Sequence, residues 1–190
     1  AAEAARLVSG SGAGFDRVRW AGAPRRAQGL DEVGIGVAAA GLNFRGVMFG
    51  LELLPEDILE HGFAGPSLGL ECYGRIVAVG PGVEAFAPGD RVMGFARECF
   101  ATHVTTPATP AAPAPRHIRL AAAATLPVAC PTAAPAPIAQ APPPPGQFVL
   151  IPARSRGVGP PAPRTLPLRR PRPSPPPGPP RSLSAPLCVL

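Results

Sequence analysis

Residues 1–119 predict a small, mainly β domain (α+β overall), closed or strongly bent on itself. Three observations carry this. Short β-branched apolar runs recur between glycine-containing turns such as Gly80-Pro81-Gly82 and Pro88-Gly89-Asp90, with little helix between them. The run from Asp31 to Leu42 alternates, with Val33, Ile35, Val37 and Ala39 on one face. The composition then changes sharply. Through Val104, nine arginines face all twelve acidic residues, a balance of −3; from Thr105 onward nine arginines stand with no acid, and 25 of the 30 prolines lie there. The formal net charge of +6 is therefore a property of the second part alone.

In chain order, a first strand is expected near Arg6–Val8, then a Ser-Gly-Ser-Gly turn (Ser9–Gly12) and a strand over Phe15–Trp20 whose apolar residues alternate poorly. Pro24, Arg25 and Arg26 form a surface loop. The long strand ending at Leu42 runs into an Asn43-Phe44-Arg45 corner. Asn43 there is either a helix N-cap or a ligand contact, and Arg45 either a solvated cation or a ligand contact. A short helix is expected over Val47–Leu54, weakened by Gly50 and ended by Pro55. A loop over His61–Pro66 comes next, then strands over Glu71–Val79, Arg91–Phe95 and Phe100–Thr106.

Leu120–Ala141 opens as an alanine-rich helix that Pro127, Pro131, Pro135 and Pro137 interrupt. Phe148–Ile151 is a candidate first strand of a nucleotide-binding fold. Residues 160–190 are rich in Pro, Arg and Ser without an aromatic, as in a disordered or polyproline II tail. Arg170-x-x-Pro173-x-x-Pro176 there has the form of an SH3 ligand, which leaves open a non-enzymatic adaptor with a proline-rich tail. The mixture is also what out-of-frame or degraded translation of a GC-rich gene produces, and the complete absence of Lys agrees with that origin. Arginines without Lys or stacking aromatics argue against a nucleic-acid site. Four cysteines without a Cys-x-x-Cys pair argue against a disulfide framework or zinc ribbon. The longest apolar stretch, Leu120–Cys130, is shorter than the roughly 20 residues a bilayer needs, so a cytoplasmic protein without a membrane partner is expected.

Six blocks occur in order: Gly41-Leu42-Asn43-Phe44-Arg45; Leu68-Gly69-Leu70-Glu71-Cys72-Tyr73-Gly74; Gly80-Pro81-Gly82-Val83; Gly89-Asp90-Arg91-Val92-Met93-Gly94; Phe100-Ala101-Thr102-His103-Val104; and Ala124-Thr125-Leu126-Pro127-Val128-Ala129. Together, over about Arg6–Gly159, they resemble the enoyl reductase domain of modular type I polyketide synthases. That domain belongs to the zinc-less, quinone-oxidoreductase-like branch of the medium-chain dehydrogenase/reductase superfamily. The resemblance implies a GroES-like substrate domain over residues 1–119, an incomplete Rossmann-type start over 120–159 and a disordered tail over 160–190.

The implied chemistry is hydride transfer from NADPH to the β-carbon of an α,β-unsaturated thioester, which an acyl carrier protein presents among neighbouring synthase domains. The α-carbon is then protonated. By resemblance Asn43, Phe44 and Arg45 lie along the nicotinamide side, Thr132 contacts the cofactor, and Gly157, Val158 and Gly159 meet its pyrophosphate. A stand-alone quinone-oxidoreductase-like enone reductase is the alternative. Zinc-dependent relatives carry a His where Leu70 stands and a Cys near the corner, so no metal is expected. Gly46 stands where the family carries Asp, and Leu54 where some relatives carry Tyr. No catalytic proton donor can be assigned, and this chain alone is expected to be inactive.

Overall fold

The computed structural model describes residues 4–12 and 14–133, and the chain divides into two units, Ala1–Val128 and Ala129–Leu190. The first unit opens with a hairpin of β1 (Ala4–Ser9) and β2 (Val18–Ala23), with a 3-10 turn over Phe15–Arg17 between them. That turn explains the poor alternation after Phe15: the segment is helical before it is extended. Next come β3 (Glu32–Ala40), α1 (Phe44–Gly50), α2 (Glu56–His61), β4 (Glu71–Val79), β5 (Arg91–Phe95), β6 (His103–Pro107) and β7 (Ala111–Pro113). Two short helices close the described residues, α3 (Leu120–Ala123) and α4 (Leu126–Ala133).

Five strands form one antiparallel sheet in the order β6-β3-β4-β5-β7. The β3–β4 ladder lies at its centre, pairing Val33 with Val79, Val37 with Gly74 and Ala40 with Cys72. Its register shifts between Gly34 and Ile35 and again between Val37 and Ala39. An extra residue flips the alternation. Val33 and Ile35 are fully buried as expected, but past the second shift Ala40, rather than Ala39, packs on the core with Val37.

The core gathers Val33, Ile35, Cys72, Ile76, Val92 and Cys99, with Ala96, Ala101 and Val104 filling between them. The hairpin joins this body through residues 100–102. Leu7 N donates to Phe100 O at 2.7 Å, Thr102 N to Ala5 O at 2.8 Å, and Arg6 pairs with Glu98 at 2.6 Å.

The helices differ most from the sequence-based expectation. α1 begins three residues earlier than Val47, because Asn43 caps it, and it ends at Gly50. α2 falls between the expected Pro55 break and the His61–Pro66 loop, where no element was expected; Pro55 is its N-cap residue and Glu56 and Asp57 occupy its first turn, favourable for the helix dipole. Leu120–Ala133 is two helices, not one interrupted helix. Pro127 falls in the first turn of α4, where a missing amide costs little, while Pro131 is tolerated inside it. The expected Phe148–Ile151 strand and the 160–190 tail lie outside the described residues. No helix among the described residues is long and apolar enough to cross a membrane.

Truncating the fully buried Ile35 to Ala should destabilise the domain by about 2–5 kcal/mol. Urea unfolding followed by circular dichroism checks this, and a loss below about 1 kcal/mol would mean that Ile35 is not in the core.

Candidate functional site

The site is built where β3 leaves the sheet. Gly41 N donates to Glu71 O at 3.1 Å, so the chain exits beside the start of β4. A Cβ on Gly41 would stand 2.5 Å from Glu71 Oε1, and only glycine fits there. Asn43 then turns the chain. Its backbone is extended (φ −133°, ψ 156°), and its Oδ1 accepts from Gly46 N at 3.1 Å, satisfying one of the free amides of α1. Its Nδ2 is buried and has no hydrogen-bond partner.

Arg45 is partly buried, and part of its guanidinium is committed to backbone. Its guanidinium donates to Ser67 O at 3.2 Å and to Gly65 O, and its carbon lies 6.0 Å from the centroid of the Phe49 ring. Two carbonyls received by one planar fork suit arginine better than lysine. Burial lowers its pKa from the ordinary arginine value. Next to it Phe44 is 74 % exposed, and with Leu42 and Val47 it leaves an apolar surface at the corner.

Glu71 does not stand out by residue type, yet it is the most buried carboxylate among the described residues, 3 % exposed. Desolvation raises its pKa, opposed by the Val128 amide, which donates to Oε2 at 2.9 Å. Around it, Cys99 Sγ donates to Ala96 O at 3.2 Å, and its thiol is pushed far above the usual range, chiefly by its bond with Cys72 and by burial. Gly69 precedes this strand with φ +82°, and a Cβ there would lie 2.6 Å from Phe100 N. The Leu-Gly-Leu-Glu-Cys spelling thus reflects a tight crossing as well as a strand start.

Of the sequence-derived site residues, Asn43, Phe44 and Arg45 share the corner, Thr132 is exposed on α4, and Gly157, Val158 and Gly159 lie outside the described residues. Of two surface hollows, of about 260 and 200 Å³, one lies beside β5 and Arg116 and the other between β1 and Ser67, next to Phe49 of α1. Both are smaller than the roughly 300 Å³ of an ordinary ligand pocket. Among the described residues no three His, Cys, Asp or Glu side chains gather as a metal site would require.

Gly46 occupies open space: the nearest atom to an added Cβ is Asn43 Oδ1, at 3.9 Å. Gly46→Ala should therefore stabilise α1 by about 0.5–1 kcal/mol, read as a higher urea midpoint. A lower midpoint would mean that the cap of α1 is strained by a side chain there.

Glu71 titrates in the opposite sense to a paired surface acid. Its folded pKa is raised, so as pH falls from 7 toward 5 the folded state takes up the proton first and stability rises. His103, whose pKa is lowered by burial and by Arg25, works against this in the same window. The difference between wild type and Glu71→Gln isolates the carboxylate. Wild type should gain stability relative to the variant on acidification, measured as the melting-temperature difference at pH 7 and pH 5. A constant difference would show that Glu71 is not buried as an acid.

The alcohol dehydrogenase GroES-like domain matches residues 29–116. The chain is 40% identical over 156 residues to the erythronolide synthase EryA2 of Saccharopolyspora erythraea, a match covering 81% of this chain and 4% of that protein. It superimposes on the CurK enoyl reductase with a TM-score of 0.78 at 34% identity, covering 84% of this chain and 49% of that one. A quinone oxidoreductase of Pseudomonas syringae pv. Tomato DC3000 gives a TM-score of 0.69 at 26% identity, over 84% of this chain and 48% of that one. The chain thus spans a few per cent of the curated synthase and about half of the solved reductases. The sheet, the corner and these likenesses agree: the described β-domain is GroES-like, and the chain resembles the enoyl reductases of polyketide synthases and the quinone oxidoreductases of the medium-chain dehydrogenase/reductase superfamily.

Proposed function

We propose that this chain carries the substrate-side domain of an NADPH-dependent enoyl reductase acting on an α,β-unsaturated acyl thioester. An acyl carrier protein delivers that thioester in the cytoplasm, among neighbouring synthase domains. The observation that carries the reading is the corner after β3. There Asn43 commits one side-chain atom to α1 and holds the other buried without an acceptor, beside an exposed Phe44 ring. A buried donor calls for a partner. An amide donor and an apolar ring suit a nicotinamide, which presents a carboxamide and a flat apolar face.

The cofactor, when bound, supplies the hydride for the β-carbon of the enone. This chain's residues position the reactants. Asn43 and Phe44 orient the nicotinamide side. Arg45 works one step back, holding the Gly65–Ser67 turn against α1. Thr132 on α4 and the Gly157-Val158-Gly159 segment are the further cofactor contacts in this proposal. Pro160, Pro161 and Pro163 come directly after that segment and remove amides that a pyrophosphate would use, so the chain alone is a weak binder without turnover of its own.

Titration of NADPH fluorescence with the 190-residue chain should show no saturation in the micromolar range; micromolar binding would overturn the weak-binder part of the proposal. At millimolar NADPH the Asn43 side-chain amide signals in a ¹⁵N spectrum should shift. A spectrum unchanged throughout α1 would overturn the placement of the nicotinamide at this corner.

A further inference from the structure

We propose that Glu71 is a positioning residue: its buried carboxylate, accepting the Val128 amide at 2.9 Å, fastens the first turn of α4 to the start of β4. The assignment of α4 to a cofactor site rests on the function proposed above; the fastening itself does not.

The first amides of a helix have no partner within it. In α4 the second residue is Pro127, which has no amide, and the first turn contains no acid. Val128 therefore presents an amide at the positive end of the helix dipole, and Glu71 supplies the missing anion from the strand. A charge-assisted bond to a carboxylate is roughly twice as strong as a neutral one. Glu71 is also tied on its other side: its carbonyl receives Gly41 N at 3.1 Å, and its carboxylate fills the space that a Cβ at Gly41 would occupy. One residue thus holds the exit of β3, two residues before Asn43, and the first turn of α4.

Its surroundings favour this over simple space-filling. Ala123 and Ala124, just before α4, are fully buried, so the peptide leading to Val128 is already seated. An isolated carboxylate buried to 3 % exposure would be costly, and the bond to Val128 is what offsets it.

Amide exchange of the full chain, resolved by NMR, tests the proposal with Glu71→Ala and Glu71→Gln. In Glu71→Ala the amides of Val128, Cys130 and Thr132 should exchange about tenfold faster, the loss expected for one charge-assisted bond, while those of β3 and β4 keep their protection. Glu71→Gln retains an acceptor of the same reach and should restore most of the protection. If Val128 exchanges at the wild-type rate in Glu71→Ala, or if β3, β4 and α4 lose protection together, Glu71 is a packing residue and the inference is wrong. Failure of the functional reading shows elsewhere, as an Asn43 signal that ignores NADPH.

Discussion

The β3–β4 ladder is the constraint on which the molecule depends. It pairs the two nine-residue strands at the centre of the sheet, and it brings the end of β3 and the start of β4 to the same place. The groups that build the site stand at that end: Gly41, Asn43 and Arg45 on one side, Gly69 and Glu71 on the other. The two register shifts in the ladder make the arrangement possible. The first leaves an extra residue in β4 and the second an extra residue in β3, and each bends its strand and re-aims the residues beyond it. Without the second shift, Ala40 would not face the core and the corner would leave the sheet on the opposite face.

At the corner, polar groups are divided between structure and availability. Asn43 Oδ1 and part of the Arg45 guanidinium are committed to backbone, the first by α1 and the second by the Gly65–Ser67 turn. The first bond is local and the second reaches a loop distant in sequence, and both tie α1 to its surroundings. One amide group and a patch of apolar surface at Leu42, Phe44 and Val47 are left over. A capping residue with a spare donor is a means of presenting a polar atom on a rigid support, since the same side chain that offers it is held by its other end. This is why Asn, and not the equally good cap Ser, is informative at this position: a hydroxyl used as the cap has no second rigid donor to present.

β3, β4 and β5 were legible because their signals are local. Alternation located β3, and glycine turns bounded β4 and β5, each within a residue or two of the observed ends. The corner was legible only as a pair of alternatives. Asn43 as a cap could be foreseen, but the loop that Arg45 grips is twenty residues away, and no local pattern reports a carbonyl that distant. α2 was missed because Pro55 reads as a break, although a proline before Glu56 and Asp57 is equally a helix start. Glu71 was the largest omission. In sequence it begins a strand, where an acid reads as exposed; its burial is decided by α3 and α4, which arrive some fifty residues later. Composition located the change near Thr105 but carried no information about where α3 ends and α4 begins.

Beside Glu71 the Cys99 thiol is held in its uncharged form. The Cys99 thiol is driven far upward by its bond to Cys72 and by burial, and the negative charge of Glu71 adds to the same shift. A thiol so placed is neither a nucleophile nor a metal ligand at neutral pH, because the thiolate is the reactive form. Both sulfurs are fully buried and serve as small apolar filling in the core, and the carboxylate is the group around which charge must be arranged. It is almost wholly withdrawn from water, and the Val128 amide is the donor that reaches it from a helix end. Removing the carboxylate would relieve a desolvation cost and, at the same time, take an acceptor from that amide. The balance of those two effects, rather than the packing of the sheet, decides how firmly α4 is held.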